Sequence, residues 1–168
     1  KANVQSIMAA YNGINGIPCH VNPWMLQHVL RDEWGFEGYI VSDCVAPANI
    51  WKEFKYVRDP ETAAVLLVKA GLNIECDDAG VYGEALHKAY EQYRISDEDL
   101  DKAAYRLLRA RFMLGLFDDP SQNPYNAITP DVVGCKEHQE LALETARQSL
   151  VLLKNEKNFL PLNAKKLK

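Results

Sequence analysis

Seven consecutive residues, Gly38-Tyr39-Ile40-Val41-Ser42-Asp43-Cys44, restrict the fold more than any other stretch of this chain. A short apolar run, entered through glycine and ending abruptly in a serine, a carboxylate and a thiol, predicts a fully buried strand of a parallel sheet. Parallel strands are joined through helices, and their chemistry collects where the strands end. Asp43 falls at such an end. By placement alone it is a candidate catalytic carboxylate, and the commoner role for an aspartate there is a cap or loop residue.

The flanking segments supply the rest of an α/β pattern. Val4 to Tyr11 predicts a buried strand, and the turn formers from Asn12 to Pro18 predict a loop. The glycines of that loop match neither a phosphate loop nor a dinucleotide fingerprint. Asn22-Pro23 opens a helix with Leu26, Val29 and Leu30 on one face, closed at Gly35. With Tyr39 to Ser42 this makes one strand–helix–strand unit, right-handed by default. An irregular loop with Pro47, Trp51, Phe54 and Tyr56 is expected after Cys44. Asp59-Pro60 then starts a helix that stops at Gly71, and Leu72 to Cys76 predicts a third short strand before Asp77-Asp78. A helix from about Gly83 to Tyr93 follows. Ser96 and Asp99 form a capping box opening a helix toward Leu114. Asp118 to Lys136 is polar and punctuated by proline, as a linker would be. His138 to Leu150 returns to helical spacing, and Val151-Leu152-Leu153 is a candidate strand.

Composition narrows the function classes. In 168 residues, 48% are hydrophobic and 25% charged, with a formal net charge of −4. This balance predicts a soluble globular protein without a basic nucleic-acid surface, and no apolar run is long enough for a membrane-spanning helix. The first residues lack the pattern of a secretory leader, so the compartment is not legible there. Four cysteines (Cys19, Cys44, Cys76, Cys135) and four histidines (His20, His28, His87, His138) are scattered without metal-ligand spacing, which predicts neither metal nor cofactor. Cys44 and Cys76 end neighbouring strands and stand within reach of a bridge, although free buried thiols are the expectation. Glu75, Asp77 and Asp78 are expected to be solvated or to cap the next helix.

Three strands alternating with helices define an α/β class. A closed eight-stranded barrel needs about 250 residues. Composition and periodicity therefore leave two architectures open, a small open α/β domain or the last part of a barrel.

The loops carry a resemblance that separates them. Met8 to Pro18, Leu30 to Asp43, Lys69 to Asn73, His138 to Arg147, and Leu150 to Asn155 with Leu160-Pro161-Leu162 together resemble glycoside hydrolase family 3, in that family's order. The resemblance implies a partial (β/α)8 TIM barrel, its last strands and helices in residues 1–117. It further implies a linker over 118–136 and the helix and strand that begin an α/β sandwich domain over 137–168. It aligns Asp43 with the family's nucleophile, which forms a covalent glycosyl-enzyme and retains configuration. Tyr11 matches a family tyrosine near it, implied either to orient the nucleophile or contact the sugar, or else simply to pack beneath the loop. The acid/base glutamate is implied beyond Lys168, and a sugar-binding lysine–histidine pair upstream. Val45 departs from the usual glycine after the Cys44 position. Asn73 stands where many relatives carry aspartate. These details, with cysteine after the nucleophile, resemble the β-xylosidase branch more than the β-glucosidase branch.

The implied substrate is an oligosaccharide or aryl glycoside, and the implied partner is the remainder of the parent polypeptide, with no nucleic acid and no membrane. Family resemblance implies a secreted or periplasmic location. Two other functions stay open at this point: another barrel chemistry with Asp43 as general base, and a non-catalytic α/β interaction module.

Overall fold

The computed structural model describes residues 4–76, 80–163 and 165. The chain divides into two compact units, Lys1–Asp118 and Asp119–Lys168. In the first unit, β1 (Ser6–Ala9) lies parallel to β4 (Tyr39–Ser42), with Ser6 opposite Tyr39 and Ala9 opposite Ser42. The connection between them contains a helix over Trp24–Glu33, wound wide in π fashion. The Asn22 side chain accepts the Met25 N–H at 3.2 Å, and Gly35 follows in the left-handed conformation (φ 67°). Both ends were foreseeable from local chemistry.

On its other side β4 meets residues 72–76. Here the expected third strand is reduced to a single parallel bridge, Val41 with Ile74. The reason is Asn73. Its Oδ1 accepts the Ile40 N–H at 2.8 Å, so a side chain takes a hydrogen bond that a backbone carbonyl would otherwise receive. The same oxygen accepts from Arg31 at 3.2 Å, while Nδ2 donates to the Ala103 carbonyl at 3.0 Å. Asn73 thereby ties β4, the Trp24–Glu33 helix and α4 (Asp97–Met113) together. Arg31 also donates to the carbonyls of Phe36 and Gly38. Burial, with Arg106 nearby, lowers its pKa to about 10.

Gly38 is required where β1 and β4 begin to pair, since a Cβ there would collide with the Gln5 carbonyl. Helix α2 (Pro60–Ala70) is capped by Asp59, which accepts the Thr62 N–H at 2.7 Å, and ends at left-handed Gly71. Its Ala63, Ala64 and Leu67 are fully buried with Ile40, Ile50 and Leu72 in the main core. It packs on α1 (Ala46–Lys52), on α3 (Leu86–Glu91) and on the short turn Cys19–Val21. The capping box of Ser96 and Asp99 forms as read from sequence.

Three segments differ from expectation. Residues Asn12 to Pro18 form a small hairpin, β2 (Gly13–Ile14) against β3 (Ile17–Pro18), because Asn15-Gly16 adopts the two left-handed residues of a tight turn. The expected loop after Cys44 is largely α1, since Pro47 sits in the first turn, where its missing N–H costs nothing. The helix expected from Gly83 begins earlier, as a wide turn over Val81–Ala85 that runs into α3.

In the second unit, the proline-rich stretch forms three short 3₁₀ turns, Pro120–Gln122, Pro124–Ala127 and Pro130–Val132. Helix α5 spans Lys136–Ser149. Val151 to Leu153 makes no strand, contrary to expectation. No neighbouring strand among the described residues supplies ladder partners, and all three side chains are exposed. Asn155 closes the following turn through two hydrogen bonds with the Leu160 backbone.

Candidate active site

The C-terminal end of β4 is the best-defined polar rim of the first unit. Asp43 is half-buried there, immediately after Ser42, which is 1% exposed. Asp43 Oδ1 accepts the Cys44 N–H at 2.8 Å, so one carboxylate oxygen is held by the adjoining peptide. The Asp43 N–H donates to Nε2 of His20 at 3.2 Å. His20 lies on the Cys19–Val21 turn and is 2% exposed. An accepting Nε2 puts the neutral ring's proton on Nδ1. Burial lowers the His20 pKa to about 4, against a smaller opposing pull from Asp43. Tyr11, at the other end of the β2–β3 hairpin, donates its hydroxyl to the Cys44 carbonyl. Tyr11 and His20 therefore hold the two peptides that flank the Asp43–Cys44 peptide, His20 through the Ser42–Asp43 N–H and Tyr11 through the Cys44–Val45 carbonyl.

The next rim position is stapled rather than merely adjacent. Cys44 and Cys76 form a disulfide with their Cα atoms 5.0 Å apart, which corrects the expectation of free thiols. The Cys76 N–H also donates to Ser42 Oγ at 2.8 Å, a contact that brings the two segment ends within bridging range. Val45 follows at φ 64°, left-handed and β-branched. Glu75 Oε2 accepts the Tyr82 N–H at 2.8 Å in the first turn after Gly80, the capping one of the two roles left open for it. Asp77 and Asp78 lie outside the described residues. Cys19 and Cys135 are free, and no group of His, Cys, Asp or Glu among the described residues could hold a metal.

Sequence reading singled out Asp43 and Tyr11 as candidates, and the structure brings them to one rim. It missed His20. That residue's partner is a backbone N–H 23 positions away, and neither periodicity nor spacing signals such a contact. A cavity of about 870 Å³ opens beside Gln5, Trp34, Phe36 and Gly38, at the opposite, N-terminal edge of the strands, and its lining does not include Asp43.

Fold and rim together define a mixed α/β protein whose carboxylate stands at the carboxyl edge of parallel strands. The model of the glycosyl hydrolase family 3 N-terminal domain matches residues 1–110, and the chain belongs to that family. Probable beta-D-xylosidase 7 of Arabidopsis thaliana is 40% identical over 97% of this chain. Beta-xylosidase/alpha-L-arabinofuranosidase 2 of Medicago sativa subsp. varia is 41% identical over 99%. The chain spans 21% of the length of each of these relatives. Among solved structures, a family 3 exo-beta-xylosidase with a xylobiose aziridine probe superimposes with a TM-score of 0.82 at 33% identity, covering 97% of this chain and 21% of that one. A beta-glucosidase from Listeria innocua with bound glucose gives 0.77 at 34% identity, covering 92% and 21%.

Proposed function

We propose that a polypeptide containing these residues is a retaining exo-acting β-glycosidase in which Asp43 is the nucleophile. The observation that carries the reading is the Asp43 carboxylate at the C-terminal end of β4, held through Oδ1 by the Cys44 N–H. In this mechanism Oδ2 attacks the anomeric carbon and the C–O bond to the leaving group breaks. A carboxylic acid elsewhere in the polypeptide protonates the departing oxygen, and water then hydrolyses the glycosyl ester. Tyr11, whose hydroxyl meets the Cys44 carbonyl next to Asp43, serves in this reading as a sugar contact. Residues 1–117 make up the closing part of a (β/α)8 barrel, supported by the parallel order of β1, β4 and residues 72–76. Residues 118–136 link it to the start of an α/β sandwich domain. β-Xylosides and α-arabinofuranosides are the preferred substrates. That choice is supported by the names of the curated relatives and by cysteine after the nucleophile.

The test uses the full-length polypeptide. Asp43→Asn is expected to abolish cleavage of nitrophenyl β-xyloside while leaving the fold intact, and a mechanism-based fluoro-xyloside is expected to esterify Asp43. A label on another residue, or undiminished turnover, sinks the assignment. Higher kcat/KM on the glucoside than on the xyloside overturns the substrate preference alone.

A further inference from the structure

Backbone N–H groups alternate in direction along a strand, so residues 39, 41 and 43 face one neighbour while 40 and 42 face the other. The observed bonds follow this parity. Tyr39 N–H goes to the Gln5 carbonyl on the β1 side, whereas Ile40 N–H goes to Asn73 and Ser42 N–H to the Ile74 carbonyl on the opposite side. Asp43 N–H points back toward β1. Yet β1 ends at Ala9, and the chain leaves the sheet for the β2–β3 hairpin. By register the next ladder acceptor is the Ala9 carbonyl at the very end of β1, and His20 Nε2 takes the Asp43 N–H in its stead.

We propose that His20 is a positioning residue for the nucleophile. By accepting the Asp43 N–H, it fixes the peptide at the strand end and hence the direction in which the carboxylate leaves the backbone. The proposal rests on Asp43 being the nucleophile. An imidazole suits the task better than a continued strand would. It lets β1 depart early, so that Tyr11 reaches the Cys44 carbonyl from the same hairpin segment. The peptides on either side of the Asp43–Cys44 peptide are then both held without a third strand residue blocking the rim. The ring is buried, with α2 packed against the turn that carries it. The low pKa keeps the accepting nitrogen unprotonated at neutral pH.

The experiment compares His20→Leu with His20→Gln in the full-length polypeptide, measuring the rate of Asp43 labelling by dinitrophenyl fluoro-xyloside per titrated active site. Leucine removes the acceptor, whereas the glutamine amide oxygen reaches the same N–H. A misdirected nucleophile costs up to about 100-fold, so leucine is expected to slow labelling by roughly 10- to 100-fold with little change in affinity for a neutral xylose-like inhibitor. Glutamine is expected to recover the rate to within ~3-fold of wild type. Loss of structure alone would lower the number of active sites without changing the rate at each. A leucine variant that labels at the wild-type rate, or a glutamine variant no faster than leucine, overturns the proposal. If the leucine variant does not fold, His20→Asn, whose amide stops one bond short, replaces it and must be slower than glutamine. A label found away from Asp43 in the wild-type protein instead refutes the nucleophile assignment, before any His20 variant is made.

Discussion

At the scale of single residues, the rim of β4 holds two conformational tensions that stability measurements can read. The first is Val45. A β-branched residue at φ 64° is an outlier costing about 1–3 kcal/mol, and half-exposure returns little of that through burial. Val45→Gly is therefore expected to raise the unfolding free energy by about 1 kcal/mol, after allowing for the extra freedom of glycine in the unfolded chain. Denaturant titration checks it. A destabilised glycine variant would show that the left-handed turn is not strained. The second is His20, whose folded pKa of about 4 lies below its ordinary value of 6.5. Between these two pH values the unfolded chain binds a proton that the folded one does not. The contribution is thus complete above pH 6.5, declines as pH falls toward 4, and is lost below that. Two to three pKa units correspond to about 3 kcal/mol. Comparison of wild type with His20→Gln at pH 7 and pH 4 should show the wild type losing more stability on acidification, and parallel losses would contradict the burial argument.

Among the elements, Asn73 is the joint. Asn73→Leu leaves the Ile40 N–H and the Ala103 carbonyl without the partners they have now, at a residue 8% exposed, and is expected to destabilise by about 3 kcal/mol. Asn73→Asp keeps the acceptor contacts to the Ile40 N–H and Arg31 but loses the donor to the Ala103 carbonyl, so it should lie between leucine and wild type. Thermal unfolding of the two variants separates them, and equal losses would refute the joint. The same level explains what sequence could and could not reveal. The helix from Asp59-Pro60 to Gly71 and the box of Ser96 and Asp99 were legible because their signals and partners lie within a few residues. So was Asp43, through the abrupt end of an apolar run. His20 and the Asn73 joint were not, because each depends on a partner 23 to 33 positions away, and the Cys44–Cys76 bridge was legible only as a pairing within reach. Helix α1 was not legible because its proline sits in a first turn within a stretch that otherwise reads as loop, and the hairpin because Asn15-Gly16 lies in a run of turn formers.

For the molecule as a whole, exposed apolar side chains gather on Phe112 to Phe117 in the first unit and on Leu141, Leu143 and Leu150 to Leu153 in the second. Surfaces of this kind favour association. Residues 1–168 expressed alone are expected to elute as associated species and to leave aryl β-xylosides uncleaved, since removing a general acid costs about 10²–10⁴ in rate. Light scattering and a chromogenic assay test both halves of this expectation. Brisk turnover by the isolated chain would mean that these residues contain a complete active site. The Cys44–Cys76 link has one further consequence, for where such a chain can be made. It closes a loop whose ends are 32 residues apart, which restricts the unfolded ensemble by about 3–4 kcal/mol in the chain-entropy description. Glutathione keeps such thiols reduced in an ordinary cytosol. To keep its bridge, the polypeptide has to mature in an oxidising compartment, and a bacterial cytoplasm used for production would yield chains with a looser loop beside Asp43.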